Sequence, residues 1–167
     1  MAEEQTDRHG LPLLQAGQAQ KELTHNEALV LVDMLAMASV LGVRDTVPTT
    51  PAPGDCWIVG PAPAGEWAGA AGKLACWTAS GWRFAPPRDG MRVWRADEGV
   101  DALWQGGGWT TGMVAARRIV VGGEPVVGAR QPAIDSPEGG GTVDVEARVA
   151  IGRIIAAMAA HGLVAPS

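Results

Sequence analysis

Residues 75–82, ACWTASGW, set a spacing that returns at residues 102–109, ALWQGGGW. Both copies follow the pattern Ala-x-Trp-x-x-x-Gly-Trp, with small turn-forming residues between the two tryptophans. Two short runs of strand-forming residues joined by a Gly- or Ser-rich connection are typical of a β-hairpin. The repeat therefore predicts a pair of hairpins within a sheet-rich fold.

The block around these hairpins, residues 54–112, holds all seven tryptophans and the only phenylalanine of the chain. Successive strand residues point to opposite faces, so Ala75 and Trp77 should share one face and Cys76 should lie on the other. Most of the tryptophans are therefore expected to form the core of a small sheet. The strands are predicted to form an antiparallel meander at residues 55–59, 73–78, 82–85, 91–95 and 102–104, closing at Trp109.

Tryptophan also offers a flat face to sugar rings, and small Trp-rich meanders are common among carbohydrate-binding modules. Trp82 and Trp109 directly follow the turn glycines of their hairpins, and Trp67 lies in a loop of small residues. We expect these three side chains to be the most exposed tryptophans. They are the candidate contacts for a glycan.

Residues 15–33, QAGQAQKELTHNEALVLVD, predict the main helix. Thr24 and Glu27 have the Thr-x-x-Glu spacing of a capping box, so we expect the helix to begin at Thr24. Residues 36–43 either extend this helix or form a strand. The helix is expected to pack on the sheet through an apolar face at helical spacing, made of Ala28, Leu29, Leu31, Val32 and Leu35.

Three short motifs in this stretch carry a family resemblance: QAQK at residues 18–21, NEAL at 26–29 and VD at 32–33. They resemble the opening signature of an uncharacterised domain family encoded among structural genes of tailed phages and of gene transfer agents. The likeness extends more loosely to Trp109. It implies a virion component, a head-spike or fibre-attachment protein that contacts capsid-vertex and fibre proteins, with no assigned catalytic residues.

The chain start is polar and acidic, and we expect residues 1–10 to be flexible or to become ordered only against a partner. Leu11, Leu13 and Leu14 follow as a short apolar arm, extended around Pro12. In an isolated domain this arm would cover its own core, whereas in an assembly it could lie across a neighbour. The three leucines are therefore candidate assembly contacts.

The last third of the chain reads as a separate segment. Residues 119–127 suggest a small hairpin, in which Pro125 is suited to an edge strand. After a loop rich in Pro, Ser and Gly, Thr142 is expected to cap a final helix that Gly162 ends.

This final helix carries an apolar stripe with 4-3-4 spacing, at Ala147, Ile151, Ile154 and Met158. Such a stripe is a coiled-coil seam if several copies meet, and it could equally dock on the protein's own sheet. Ile151, Ile154 and Met158 are therefore candidate contacts of a homo-oligomer.

Charge and hydropathy narrow the classes of partner. The net charge of −5 and the single adjacent basic pair, Arg117-Arg118, argue against a nucleic-acid partner. The start of the chain has no apolar signal region, and no apolar run reaches the ~18 residues that a membrane span needs. We expect no membrane insertion. We expect the protein to assemble in the bacterial cytoplasm.

The two cysteines each precede a tryptophan, in Cys56-Trp57 and Cys76-Trp77. This suggests equivalent inward positions on two strands. Reduced thiols packed as small hydrophobes are the expected state in the cytoplasm, with a disulfide as the alternative. A metal site is disfavoured, because neither a Cys-x-x-Cys pair nor a nearby histidine completes a ligand set.

Catalytic motifs are scarce in this sequence. The 3 histidines are far apart, and no phosphate loop, dinucleotide fingerprint or Gly-x-Ser-x-Gly motif is present. The carboxylates of Asp97, Glu98 and Asp101 could serve glycoside hydrolysis, but they also suit a solvated turn. We therefore predict no catalytic residues, no metal and no cofactor.

Taken together, the sequence predicts an α+β protein: an N-terminal helix packed on a small Trp-rich antiparallel meander, followed by a C-terminal hairpin and helix. Its predicted parts are flexible residues 1–10, the helix and Trp-rich domain at 11–112, and the extension at 113–167. The expected function is that of a structural protein of a phage or phage-like particle. The alternative is a carbohydrate-binding module that recognises host surface polysaccharide.

Overall fold

A computed structural model describes residues 4–15, 17, 21–142 and 144–165, and the chain divides into two compact units, residues 1–113 and 114–167. Within the described residues the first unit contains one helix and eight strands, and a 3-10 turn at Gly65–Trp67: α1 (Lys21–Leu35), β1 (Ser39–Val40), β2 (Val43–Arg44), β3 (Cys56–Val59), β4 (Leu74–Thr78), β5 (Gly81–Ala85), β6 (Arg92–Arg95), β7 (Val100–Gln105) and β8 (Gly108–Thr111). The second unit contains β9 (Ile119–Val121), β10 (Glu124–Val127) and α2 (Val145–Ala160). The predicted α+β class is confirmed.

The strands of the first unit form two sheets with matching layouts. The order is β2-β3-β4-β5 in the first sheet and β1-β6-β7-β8 in the second, and in each the leading strand is parallel while the other three are antiparallel. The two copies of the sequence repeat are the hairpins β4–β5 and β7–β8. The predicted meander is therefore present, but it is divided between two sheets of the same design.

The segment that follows α1 settles the ambiguity over residues 36–43, because it supplies the leading strand of both sheets. Val40 O accepts a hydrogen bond from Ala96 N at 2.9 Å, whereas Leu41 N donates to Cys56 O at 2.8 Å. The chain therefore passes from the second sheet to the first between Val40 and Leu41. Gly42, with φ of +153°, allows the bend that follows.

The first sheet is buried on both faces, as shown by β3, in which all four residues are buried. One face packs with α1 and the second sheet in a cluster formed by Met34, Ala38, Val40, Cys56, Ile58, Leu74, Cys76, Ala85, Val93 and Ala102. The opposite face carries an aromatic cluster formed by Trp57, Val59, Trp67, Ala70 and Ala75, with Val47, Trp82 and Phe84 at its edge. The expected alternation is confirmed, since Ala75 and Cys76 belong to different clusters.

Cys56 and Cys76 lie directly opposite each other on β3 and β4, at a Cα–Cα distance of 4.1 Å. The expectation of equivalent inward positions is confirmed. The expectation of reduced thiols is wrong, because the two sulfur atoms form a disulfide. The cause is geometric: facing residues of an antiparallel pair point their side chains to the same side of the sheet.

Helix α1 differs from its prediction at both its start and its buried face. It begins at Lys21, so Thr24 lies inside it as an exposed residue and does not cap it. Of the predicted apolar face, only Leu29 is even half-buried, and Val32 is 53% exposed. The residues that the helix buries are Asp33 and Met34.

Polar contacts explain this rotation of α1. Glu27 does not cap the helix but accepts two hydrogen bonds from Arg83 of β5, at 2.7 and 2.9 Å. The hydrogen bond from Arg83 lowers the pKa of Glu27. The Glu27–Arg83 pair and the buried carboxylate of Asp33, described below, both face the sheet. They orient the helix differently from the rotation that hydrophobic spacing alone predicts.

The second unit contains the predicted hairpin, in which β9 and β10 pair antiparallel. Thr142 is not the cap of α2; Asp144 is, because its side chain accepts a hydrogen bond from Ala147 N at 2.8 Å. The predicted end is confirmed, since the helix closes at His161 and Gly162 adopts φ of +73°.

The aromatic cluster gives a direct test of the fold. Trp67 is 0% exposed, and its ring centroid lies 5.0 Å from that of Trp82 and 6.2 Å from that of Trp57. We expect Trp67→Ala to lower the free energy of unfolding by about 3–5 kcal/mol, because it leaves a cavity in a packed core. The matched control is Trp94→Ala, which removes a side chain that is 47% exposed. Urea unfolding of both variants measures the difference, and equal losses would contradict this account of the core.

Candidate functional site

A groove of about 700 Å³ lies at the junction of the two sheets of the first unit. One wall comes from β2, β3 and the loop before β4, and the other from β6, β7 and β8. The lining residues that carry chemistry are Arg95, Trp104, Trp109 and Thr111. A groove with aromatic walls and few polar groups is the usual form of a small-ligand site.

Trp104 and Trp109 face each other across the β7–β8 hairpin, edge to face, with ring centroids 5.4 Å apart. The Trp109 indole N–H donates to Gly72 O at 2.8 Å, which ties the second sheet to the loop before β4. A side chain at Gly72 would approach the Trp104 ring to 3.1 Å, and the φ of +76° there also favours glycine. Gly72 therefore holds both rings in place at the groove.

Arg95 supplies the charged part of the groove, and its guanidinium is fully engaged by its neighbours. It donates to Asp97 at 2.6 and 3.2 Å and to Thr111 Oγ1 at 3.1 Å, and it pairs with Glu98 at 2.6 Å. The Asp97 hydrogen bond raises the pKa of Arg95 and lowers that of Asp97. Two carboxylates thus outweigh one guanidinium, so this wall favours an uncharged ligand over an anion.

The same contacts bear on whether the acidic turn that carries Asp97 and Glu98 could supply the acid for glycoside hydrolysis. A glycosidase needs a carboxylic acid with a raised pKa to protonate the leaving group. Arg95 acts in the opposite direction on Asp97. The lowered pKa of Asp97 is the opposite of what a general acid needs.

The structure separates the three tryptophans that the sequence grouped as exposed. The expectation for Trp67 is wrong: the 3-10 turn folds its ring beneath the first sheet, where no sugar could reach it. Trp82 is half-buried among three other tryptophans. Of the three, Trp109 alone lines the groove.

Trp104 is the groove residue that the sequence reasoning missed. A signal was available, because Trp104 occupies the same place in its hairpin as Trp77 does in the other. In the first sheet Trp77 contacts Trp82, which lies at the edge of the aromatic cluster, whereas in the second sheet the corresponding tryptophans flank an open groove. The difference depends on which loop covers each hairpin, and the repeat alone does not show this.

A second polar site fastens the N-terminal segment, residues 4–14, which we call the hook. The hook closes on itself, since Thr6 N donates to Leu11 O at 2.9 Å and Leu13 N to Glu4 O at 2.8 Å. Residues 4–10, which we expected to be flexible or to become ordered only against a partner, form a hydrogen-bonded turn against α1. The rest of the predicted flexible segment, residues 1–3, lies outside the described residues.

The buried carboxylate of Asp33 is the anchor of the hook. It accepts from the backbone N–H groups of His9 at 2.8 Å and Arg8 at 3.0 Å, and it lies 3.1 Å from Nδ1 of His9. Burial by itself raises the pKa of Asp33, but donors from Thr6, His9 and Arg8 outweigh it, so the pKa is lowered. The Arg8 side chain also reaches inward and donates to Met34 O at 2.9 Å.

Asn26 holds the other end of the hook through its side-chain amide. Asn26 accepts from Leu14 N at 2.9 Å and donates to Leu14 O at 3.0 Å, as a neighbouring strand would. The candidate contacts Leu11, Leu13 and Leu14 are half-buried. The hook therefore lies on its own helix, the arrangement expected for an isolated domain.

The apolar stripe of α2 is uncovered within its own unit. None of its side chains, all of them within the described residues, is buried, and Ile151 and Ile154 are 41% and 60% exposed. Met158 is half-buried. Of the side chains described from residue 114 onwards, Val164 is the only buried hydrophobic one.

The first unit thus defines a class: a two-sheet α+β domain with a helix on one side and an aromatic groove at the junction of its sheets. The chain belongs to a family of proteins of unknown function, DUF2793, whose profile matches residues 25–110. The match runs from within α1 to within β8, so it covers both sheets and both walls of the groove. Comparison with curated proteins finds no match.

Two features are absent from the part of the chain that the structure describes. No helix among them is both long and apolar enough to cross a membrane. No three of their histidine, cysteine, aspartate or glutamate side chains gather where they could hold a metal ion.

The hook gives a prediction about acid stability. Asp33→Asn replaces one acceptor oxygen with a donor facing N–H groups, so we expect a loss of about 2–3 kcal/mol in unfolding free energy at pH 7. Because the pKa of Asp33 is lowered by folding, its contribution exists above about pH 4 and disappears as the pH falls through the folded-state pKa. Wild type and variant should therefore converge in acid.

Urea unfolding between pH 7 and acid measures this convergence, and hydrogen exchange at the amides of Arg8 and His9 reports release of the hook. Asp89→Asn, at an exposed turn, is the matched control and should leave both readings unchanged. A loss that stays constant down to acid pH would show that the charge of Asp33 does not hold the hook.

Proposed function

We propose that this protein is a non-enzymatic structural subunit of a phage or gene transfer agent particle, a head spike or spike base that links the capsid to a fibre. In this proposal it assembles in the bacterial cytoplasm as a homo-oligomer and contacts capsid-vertex and fibre proteins. The observation that carries the proposal is the uncovered apolar surface of the second unit.

The second unit buries little hydrophobic surface. Among its described residues Val164 is the only buried hydrophobic side chain, so this segment lacks the core that small domains need. An alanine-rich helix of 16 residues is also marginal on its own in water. Partner chains that cover the stripe of α2 would supply the missing burial.

The limits of the family match support separate roles for the two units, with the second unit as the assembly segment. The profile ends at residue 110, and α2 begins at Val145, so the apolar stripe lies outside the shared domain. A shared sheet domain joined to a separate assembly segment suits a particle protein that must fit particular neighbours. The motifs at residues 18–33 support placing that particle among tailed phages and gene transfer agents.

The disulfide and the acidic turn also agree with this function. Disulfides persist in oxidising surroundings, so the Cys56–Cys76 bond suits a protein that acts outside the cell on a released particle. The Arg95-bound carboxylate of Asp97, with its lowered pKa, supports a binding role over hydrolysis.

Leu11, Leu13 and Leu14 remain proposed assembly contacts. To make such contacts, the hook would have to leave its helix.

The experiment measures the amount of protein in particles purified from cells in which a variant replaces the wild type. Ile151→Ser with Ile154→Ser should reduce incorporation by roughly tenfold or more, because each isoleucine forfeits about 1.5–3 kcal/mol of burial against a partner. Val149→Ser is the control, since Val149 is also exposed but lies opposite the stripe. Particles that lack the wild-type protein would contradict the proposal, as would full incorporation of the double variant.

The groove favours a second function, glycan binding, because it combines tryptophan rings with an uncharged or slightly negative wall. Such a site suits the neutral sugar units of a host surface polysaccharide, which stack on indole faces. In this reading Trp104 and Trp109 make the contact, and Trp67 and Trp82 belong to the core. A particle protein could serve both functions.

Binding to neutral and to anionic polysaccharides, measured by calorimetry, tests the groove. Trp104→Ala should weaken binding of a neutral glycan at least about tenfold, since it removes a stacking face. Trp94→Ala removes an exposed indole outside the groove lining and should leave affinity unchanged. A preference for anionic glycans, or equal effects of the two variants, would count against this site.

A further inference from the structure

We propose that the partner of α2 is α2 itself, in a parallel bundle of three copies of this chain. The inference rests on the proposed function, because it identifies what covers the stripe that the particle proposal leaves to a partner. It also goes further, since it proposes a number of copies from the side chains of the seam and the length of the helix.

The stripe of α2 has a defined place in the seven-residue repeat of coiled coils. Steps of four, three and four residues assign Ala147 and Ile154 to position d, and Ile151 and Met158 to position a. β-Branched isoleucine at a with leucine at d favours two strands, whereas isoleucine at both positions shifts the preference to three or more. At the centre of this seam both positions are isoleucine.

The residues beside the seam also favour more than two copies. Ala150 and Ala157 occupy position g, and Arg148 and Ile155 occupy position e. In a pair of helices these flanking positions lie at the rim, so natural coiled-coil pairs place charges there. Here three of these four residues are apolar, and three converging helices would bring Ala150 of one copy against Ile155 of the next.

Charge presents no obstacle to contact between identical helices. Glu146 and Arg153 occupy position c, outside the seam. Arg148 is directed back to its own chain, where it donates to the carbonyl oxygens of Pro137 and Gly139. Like charges therefore do not meet across the apolar contact.

The size of the helix argues for a second neighbour. At 1.5 Å per residue, α2 is ~24 Å long, and one strip of contact along it falls far below the ~800 Å² per partner of a stable interface. In a bundle of three, each helix contacts two neighbours and the strip is doubled. Closure by a three-fold axis makes the helices parallel, because rotation about that axis preserves their direction.

The test is light scattering of the full chain over a concentration series, with variants chosen by the packing rule. The wild type should approach three times its mass of 17.3 kDa at the highest concentrations. Ile154→Leu should shift the assembly to twice that mass, since isoleucine at a with leucine at d favours a pair. Val149→Leu makes a comparable change opposite the seam and should remain a trimer.

Each outcome separates this inference from the particle proposal. A wild-type dimer that Ile151→Ser with Ile154→Ser disperses would overturn the trimer but keep α2 as the assembly segment. A trimer that this double variant does not disperse, or that Ile154→Leu leaves intact, would overturn the assignment of the seam. A wild type that is monomeric throughout would overturn the inference, and its presence or absence in purified particles would still decide the particle proposal.

Discussion

The structure depends on a constraint in residues 39–44, which must pair with two sheets at once. Val40 accepts from Ala96 of the second sheet, and Leu41, the next residue, donates to Cys56 of the first. This crossing joins the two sheets beside the groove, which Val43 lines together with Gly72 and Trp104. It also explains why α1 needs polar anchors, since the helix must lead into the crossing at one fixed rotation.

Local features of the fold could be read from the sequence because they depend on neighbouring residues. The hairpins β4–β5 and β7–β8 follow from alternating side chains and turn glycines, and the end of α2 follows from Gly162. Long-range choices could not be read in this way. The division into two sheets depends on pairing by residues 39–44, whose alternation is too short to indicate two different partners.

The candidate site shows the same limit. Exposure of a tryptophan depends on what covers it. Trp67 was predicted to be exposed but its own turn folds it inward, and Trp104 was missed because its place in the groove depends on the distant loop at Gly72. The rotation of α1 could not be predicted from the sequence for another reason. A buried carboxylate such as Asp33 is favourable only when distant donors meet it, and those donors come from a segment whose composition resembles a flexible end.

The aromatic cluster has a consequence for how the two units can be observed. All seven tryptophans lie in the first unit, and four of them are linked by ring contacts with centroids 5.0 to 6.2 Å apart. Intrinsic fluorescence and near-ultraviolet circular dichroism of tryptophan therefore report unfolding of the first unit. Residues 114–167 contain no tryptophan, so the second unit has no such reporter of its own.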